Sequence, residues 1–330
     1  MSAAMPDAAM PAQTLEFRLL NEFQRDFPLV SAPFAEIAQR IGSDEATVIA
    51  TLQRLQQEGA ISRVGAVFAP RAVGASTLAA LAVPRERLDE VAALVSAHPG
   101  VNHNYEREHR YNLWFVATAA DEAALAALLG DIDATTGLPP IALPLVDEFH
   151  IDLGFDLVHG GKVQHAAHRC ERRPTTEDDR RLIAALQPGL PLVARPFAAL
   201  AQQAGLEESA LVGRLAAWLA DGCIKRFGVV VRHHELGYRA NAMVVFDVPD
   251  EEVGAIGQRL AREAGVTLCY RRQRHLPHWH HNLFCMVHGR SRAEVEPTIE
   301  RLCRVAGYPC EALFSLRRFK QCGAKYFEAV

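Results

Sequence analysis

At 330 residues, with 49% hydrophobic and 22% charged side chains, the chain has the length for two or more ordinary domains and the composition of a globular protein. A formal net charge of -4 speaks against a protein that coats nucleic acid, where Lys and Arg must neutralise phosphates. No apolar run approaches a membrane span, so neither nucleic acid nor a membrane is an expected partner.

Residues 1–13, "MSAAMPDAAMPAQ", lack a basic start and a long apolar stretch, so they read as a disordered tail and not as a signal peptide. Short amphipathic helices follow in "TLEFRLLNEFQRD", "PFAEIAQRIG" and "SDEATVIATLQRLQQEG", the last with Ser43 as N-cap and Gly59 as C-cap. A strand pair in "AISRVGAVFAP" completes a winged helix-turn-helix over residues 14–74. Next come strand "STLAALAVP", helix "RERLDEVAALVSAHPG", hairpin "VNHNYEREHRYNLWFVATA", helix "DEAALAALLGDIDATTG" and strand "IALPLVDEFHIDL". That βαββαβ order predicts a ferredoxin-like sandwich over residues 75–157, its helices on one face of an antiparallel sheet. The polar, glycine-bearing residues 158–176 read as a linker, in which the irregularly spaced His159, His165 and His168 read as solvated.

The chain then repeats itself. "LPLVARPFAALAQQAG" (190–205) matches "FPLVSAPFAEIAQRIG" (27–42), and the register holds through Arg63 and Arg226, Gly65 and Gly228, to Gly74 and Gly237. Further on, Tyr105 meets Tyr270, Arg107 meets Arg272, and "YNLW" (111–114) meets "HNLF" (281–284). The fold class is therefore α+β, a tandem duplication of a winged helix plus a ferredoxin-like βαββαβ domain. The second copies span residues 177–237 and 238–330. Two such sheets in one chain can pair internally as a pseudo-dimer, which leaves homo-oligomers or association with homologous subunits open. Seven scattered cysteines without C-x-x-C spacing read as a reduced, cytoplasmic chain.

The duplicated hairpin carries the chemistry. Alternation places His103, Tyr105 and Arg107 on one face of its leading strand, and Asn102, Asn104 and Glu106 on the other. The second copy offers Tyr270 and Arg272, then Arg274, His275, His278, Trp279, His280 and His281. Aromatic walls with guanidinium and imidazole groups between them suit a flat anion, since rings stack and Arg grips carboxylates as a fork. Plainer readings stand beside this: Tyr105 and Tyr270 as interface residues, Trp114 and Phe284 as core, and Arg107 in an ion pair with Glu106 or Glu108. The second histidine cluster lacks Cys or carboxylate at ligand spacing, so no metal site built by the protein alone is expected.

Winged helix followed by ferredoxin-like domain is the outline of the Lrp/AsnC transcription regulators, which each half resembles. A recognition helix in the major groove needs cations or amides in its first turn. Here Asp44 and Glu45 stand there in one copy, Glu207 and Glu208 in the other.

"NHNYEREHRYNLWF" and "CYRRQRHLPHWHHNLFCMVHG", each behind such a winged helix, resemble the two subunit types of siroheme decarboxylase, fused in one chain. The resemblance spans all but the tail and linker. It implies loss of carbon dioxide from two acetate side chains of siroheme, leaving methyl groups and giving didecarboxysiroheme for the modified haem of nitrite reductase in denitrification. Siroheme and its partly decarboxylated form would be the partners, with no cofactor, since the substrate carries the iron. Histidine is the natural proton donor near neutral pH, and the matching motifs give His103 and His109 that acid–base role. Tyr105, Arg107, Tyr111 and Asn112 would bind substrate from the first half. From the second half come Tyr270, Arg272, Trp279, His281, Asn282 and His288, with Arg317 and Lys320 as carboxylate anchors. The family's second motif carries Tyr before "NLF" where this chain has His281, which opens a donor or iron-ligand role for that residue. A haem-responsive regulator and a tetrapyrrole-binding protein without chemistry are the alternatives.

Overall fold

The computed structural model describes residues 14–151, 176–232 and 240–328. The expected tail, and nearly all of the expected linker with His159, His165 and His168, lie outside the described residues.

In chain order the first copy comprises α1 (Leu15–Glu22), α2 (Pro33–Ile41), α3 (Glu45–Gln57), β1 (Ile61–Phe68), β2 (Ala75–Leu81), α4 (Leu88–Ala97), β3 (Val101–Arg107), β4 (Leu113–Ala119), α5 (Glu122–Thr136) and β5 (Ile141–Ile151). The second comprises α6 (Glu177–Leu186), α7 (Pro196–Ala204), α8 (Glu208–Ala220), β6 (Ile224–Val231), β7 (Ala240–Phe246), α9 (Val253–Ala261), β8 (Val266–Arg272), β9 (Leu283–Gly289), α10 (Arg292–Ala306) and β10 (Cys310–Gln321). Both βαββαβ orders are as expected.

Local chemistry sets the helix ends. Pro33 and Pro196 open α2 and α7, where a missing N–H costs nothing, and Gly42 and Gly205 close them at φ 70 and 66 in the left-handed region. The N-cap of α3 is Asp44, not Ser43: its carboxylate accepts from the Thr47 amide at 2.9 Å, and a carboxylate also complements the helix dipole.

The helical parts of both copies share one core, in which Phe27 lies 5.8 Å from Phe34 and 5.7 Å from Phe227 of the other copy. The expected wing is corrected here. "ISRVGAVF" contains no turn and runs straight as β1, pairing antiparallel with β6 across the copies, with Gly65 opposite Gly228. A Cβ on Gly228 would stand 2.2 Å from the Phe23 carbonyl oxygen, so that crossing needs glycine.

The remaining eight strands close into a barrel in the order β10-β3-β4-β2-β5-β8-β9-β7. Strand length explains the closure. β5 and β10 run to 11 and 12 residues against 7 for their neighbours, so each overhangs its own sheet. The first part of β5 pairs with β2 and its overhang with β8; β10 likewise pairs with β7 and then β3. Closure removes the open sheet edges of both copies. Helices cover the outside of each sheet, while Leu78, Trp114, Leu143, Met243, Tyr270, Trp279 and Phe284 pack inside between them. Cys303 and Cys310 form a disulfide between the end of α10 and the start of β10, so a fully reduced chain does not hold at this pair. Among the described residues no helix is long and apolar enough to cross a membrane.

Candidate functional site

The leading strand of the first hairpin points its residues as alternation requires. Asn104 faces out to α4, donating to the Ala92 carbonyl at 3.1 Å and to Ser96 Oγ at 3.0 Å. His103, Tyr105 and Arg107 face the other way: the His103 and Tyr105 rings stack at 6.2 Å, and the Arg107 guanidinium lies 5.9 Å from the Tyr105 centroid.

Glu106 and Glu108 do not pair with Arg107. Glu106 accepts from Arg317 at 2.5 Å, and Glu108 from Arg292 at 2.9 Å. Arg107 instead donates through Nη1 to the Leu313 carbonyl at 3.0 Å and to Asn241 Oδ1 at 3.4 Å, and its buried Nε has no partner. Burial alone holds its pKa down at about 10, with the Tyr270 and Tyr105 hydroxyls opposing. Burial, and then the Arg63 charge, push His103 down to about 4. Asn102 Oδ1 accepts from His103 Nδ1 at 2.7 Å, which leaves the ring's lone pair on Nε2. Burial raises the Tyr105 phenol against the pull of Arg318, Arg107 and Arg232. Among the described residues, the groups that shift these three side chains are cations and phenols.

His103, Tyr105, Arg63 and Tyr326 are enclosed deeply enough for strong desolvation, yet each retains accessible surface. Arg63 has lost its solvation without gaining a carboxylate, and its Nε is also unpartnered.

The second copy repeats the pair with a different surrounding. Arg272 Nη1 donates to the Leu143 carbonyl at 2.7 Å, mirroring Arg107 on Leu313, and lies 4.6 Å from the Tyr270 centroid. Opposite Tyr270, however, sits Glu148, paired with Lys225 at 2.6 Å, where Arg318 stands opposite Tyr105. The residue opposite the tyrosine is therefore a cation in one copy and, in the other, an acid already paired with Lys225.

At the hairpin tips the two copies meet. His109 approaches Trp279 edge-on at 5.4 Å, Trp279 contacts Trp114 at 5.0 Å and His281 at 5.0 Å, and Tyr111 stacks beside His109 at 6.0 Å. The Tyr111 amide donates to His109 Nδ1 at 2.9 Å, so the neutral ring carries its proton on Nε2, which faces Glu311 at 3.4 Å. Burial lowers the His281 pKa while Glu311 and Asp247 raise it. His103 and His109 do not converge. His103 pairs with Gln321 at one end of β10, and His109 meets Glu311 at the other. From His103 to Arg107 alone is roughly 13 Å of strand.

Several expected substrate contacts are already engaged. Asn112 exchanges both amide bonds with Val83, and Asn282 does the same with Val248, so each clamps the end of a strand. Arg317 lies on the outer surface between Glu106 and Asp89. Lys320 donates to the Ser96 and His98 carbonyls at the end of α4. His288 sits in a chain that the Arg107 bond determines. Asn241 Oδ1 accepts from Arg107, so its Nδ2 donates to His288 Nε2 at 2.8 Å, and His288 Nδ1 donates to Thr267 Oγ1 at 2.9 Å. The ring is held neutral and orients Arg107. Trp279 and Tyr111 are buried in the barrel wall.

Sequence reading missed Glu311, Asn241 and Thr267, which lie outside the hairpin phrase and become neighbours only through the barrel. Arg63 was visible as a repeat position without an assigned role. Among the described residues no three His, Cys, Asp or Glu side chains converge on a metal position. On the exposed face of α8, the recognition-helix position, stand Ser209, Ala210, Gly213, Ala216, Ala217 and Ala220, with no cation among them, and Arg54 on α3 is paired with Glu16 and Glu58.

Comparison with known proteins gives matching results throughout the chain. The model for the siroheme decarboxylase NirDL-like HTH domain matches residues 16–61 and 179–224, and that for the AsnC-like ligand binding domain matches 72–150 and 235–320. A siroheme decarboxylase NirDL subunit from Paracoccus pantotrophus is 48% identical over 96% of this chain and 98% of its own length. A siroheme decarboxylase NirD subunit from Stutzerimonas stutzeri is 51% identical over 45% of this chain and 97% of its own. The crystal structure of the siroheme decarboxylase NirDL in co-complex with an iron-uroporphyrin III analogue superposes with a TM-score of 0.70, at 31% identity over 95% of both chains.

Proposed function

The chain belongs to the siroheme decarboxylases in their fused, two-copy form, a family of decarboxylating enzymes, and from that premise we propose that it converts two acetate side chains of siroheme to methyl groups, giving didecarboxysiroheme. In each step the bond from the side-chain methylene to its carboxylate breaks and carbon dioxide leaves. The electron pair passes into the conjugated ring, and the methylene carbon takes up one proton. No oxidant is required, only charge pairing for the carboxylates and a proton donor.

The observation that carries this reading is a pair of buried cations without a carboxylate partner, Arg107 on the barrel's inner face and Arg63 on β1. Arg107 is desolvated beside Tyr105 and Arg63 beside His103, neither with a carboxylate, an arrangement that costs stability until an anion arrives. A macrocycle ringed by carboxylates, lying against Tyr105, supplies those anions. Arg272 beside Tyr270 is likewise buried without a carboxylate, its Nε unpartnered, and offers a second anchor, since the nearby Glu148 is already paired with Lys225.

Histidine serves as the proton donor. His103 and His109 lie too far apart to act as one dyad, so they address different edges of the bound ring. His103 is neutral before substrate binds, and a carboxylate at its Nε2 would reverse the field of Arg63 and bring a proton onto it. His109 is oriented by the Tyr111 amide, which donates to its Nδ1, and its Nε2 edge faces Glu311; it acts as donor only once a second proton is on the ring. The co-complex of the similar structure with an iron-uroporphyrin III analogue supports a siroheme-like ligand in this fold.

Anaerobic incubation with siroheme, followed by mass spectrometry of the tetrapyrrole, tests the proposal. Successive losses of one and two carbon dioxide masses are expected. Tight binding without mass change would overturn it in favour of a tetrapyrrole-binding protein.

A further inference from the structure

The two copies differ at one position facing the hairpin tips. On β5, Ile141 pairs with Ala80, which itself pairs with Trp114; on β10, Glu311 pairs with Val245, which pairs with Phe284. The sequence repeat aligns Trp114 with Phe284, so Glu311 occupies the place that Ile141 holds in the first copy. Ile141 is buried, and Glu311 keeps about half of its side chain accessible, with 45% exposure. Fold alone therefore does not demand an acid at this place.

Glu311 faces two imidazoles. Its Oε1 lies 3.4 Å from His109 Nε2 and its Oε2 lies 3.9 Å from His281 Nε2. His281 itself stands where the first copy has Tyr111, and its buried Nδ1 has no partner. The acid and the second histidine are thus departures from the repeat that meet at one point, beside the one tip histidine whose tautomer the backbone fixes. Packing demands neither departure, since a buried Ile141 and a buried Tyr111 fill the corresponding places in the first copy.

We infer that Glu311 is a positioning residue for proton delivery, holding His109 Nε2–H and His281 in place and keeping a proton available between them. The inference rests on the histidine reading of the reaction given above. Its chemistry is modest and balanced. Each carbon dioxide released consumes one proton, and a histidine that gives it must be reprotonated from solvent before the second acetate reacts. A half-exposed carboxylate beside His281 favours its protonated form and connects the pair to water. The other charged groups around this cluster are Asp247, which is held by Arg274, His280, and Arg110 over the Tyr111 ring.

Two substitutions test it in the full chain. Glu311→Gln keeps shape and removes charge; Glu311→Ile installs the residue that the first copy already carries at this place, so the fold tolerates it. The readouts are siroheme affinity from the shift of the tetrapyrrole absorbance, and the initial rate of carbon dioxide loss from pH 5.5 to 9. We expect affinity within about two-fold of the parent, a rate near pH 7.5 reduced roughly ten-fold or more, and the rate's decline with rising pH moved toward acid by about one pH unit. His281 must be protonated to resupply the proton, and removing the carboxylate lowers the pH at which it loses it. The same rates for both variants as for the parent, with an unmoved profile, while His109→Ala abolishes activity, would overturn the role of Glu311 and leave the histidine reading standing. Full activity in His109→Ala and in a His281→Ala variant would instead overturn the histidine reading on which it rests.

Discussion

Replacing Arg107 by Met should make the protein more stable and worse at its task. The guanidinium is 7% exposed, bonded to one carbonyl at 3.0 Å and one amide oxygen at 3.4 Å, and paired with no carboxylate. Its pKa stands at about 10 against 12.5 unperturbed, which corresponds to about 3 kcal/mol of disfavour for the charged form in the folded state. The sign follows from the direction: a cation whose pKa falls on folding destabilises the fold at neutral pH, and relief comes only as pH rises through 10. Met fills similar volume without charge. It leaves the Leu313 carbonyl without that donor, at a cost of about 1 kcal/mol or somewhat more. A net gain of about 1–2 kcal/mol remains, or about 2–3 °C in Tm for a chain of this size. Siroheme binding should weaken by roughly 30-fold or more, because a buried charge pair to a carboxylate is worth about 2 kcal/mol or more. Thermal denaturation with and without siroheme, together with absorbance titration, reads both quantities. A variant that melts lower and binds siroheme as tightly as the parent would refute the reasoning, making Arg107 a strut of the barrel.

Siroheme binding at pH 5.5–6 should take up close to one proton, measurable by calorimetry in buffers of different ionisation enthalpy, and His103→Gln should abolish that uptake. The same histidine makes stability fall with pH. Its folded pKa of about 4 lies below the unfolded value, so stability present above pH 6.5 is lost progressively toward pH 4; His103→Gln should flatten that part of the profile. Gly228→Ala should lower stability by about 1–3 kcal/mol or prevent folding, because its Cβ would stand 2.2 Å from the Phe23 carbonyl oxygen where the two copies cross. Asn112→Ala should lower Tm while leaving siroheme affinity within about two-fold, since both amide bonds go to Val83; a large loss of affinity at unchanged Tm would restore it to the binding site.

The helices were legible because their signals are local: proline at the first position of α2 and α7, glycine at φ 70 and 66 after them, and apolar spacing between. Even so, Asp44 displaced Ser43 as cap, a choice between adjacent residues that depends on one hydrogen bond. The alternation of β3 likewise sorted His103, Tyr105 and Arg107 from Asn104 correctly, since strand period depends only on backbone geometry. Side chains that look equally polar in the sequence were not so easily sorted. Asn112, Asn282, Arg317 and Lys320 shared the motif's chemistry, yet each found a backbone or carboxylate partner supplied by another element.

By itself the sequence determined the duplication, the βαββαβ order in each copy, and the composition of the hairpin that marks the family, because repeats, periodicity and motifs are properties of contiguous residues. Only the tertiary structure decided how the copies meet. It paired β1 with β6, carried the overhangs of β5 and β10 across to close the barrel, separated His103 from His109, and brought Glu311 to two histidines. Those contacts join residues up to some two hundred positions apart, such as His109 and Glu311, and they are set by strand length and register across the barrel, which no local pattern encodes.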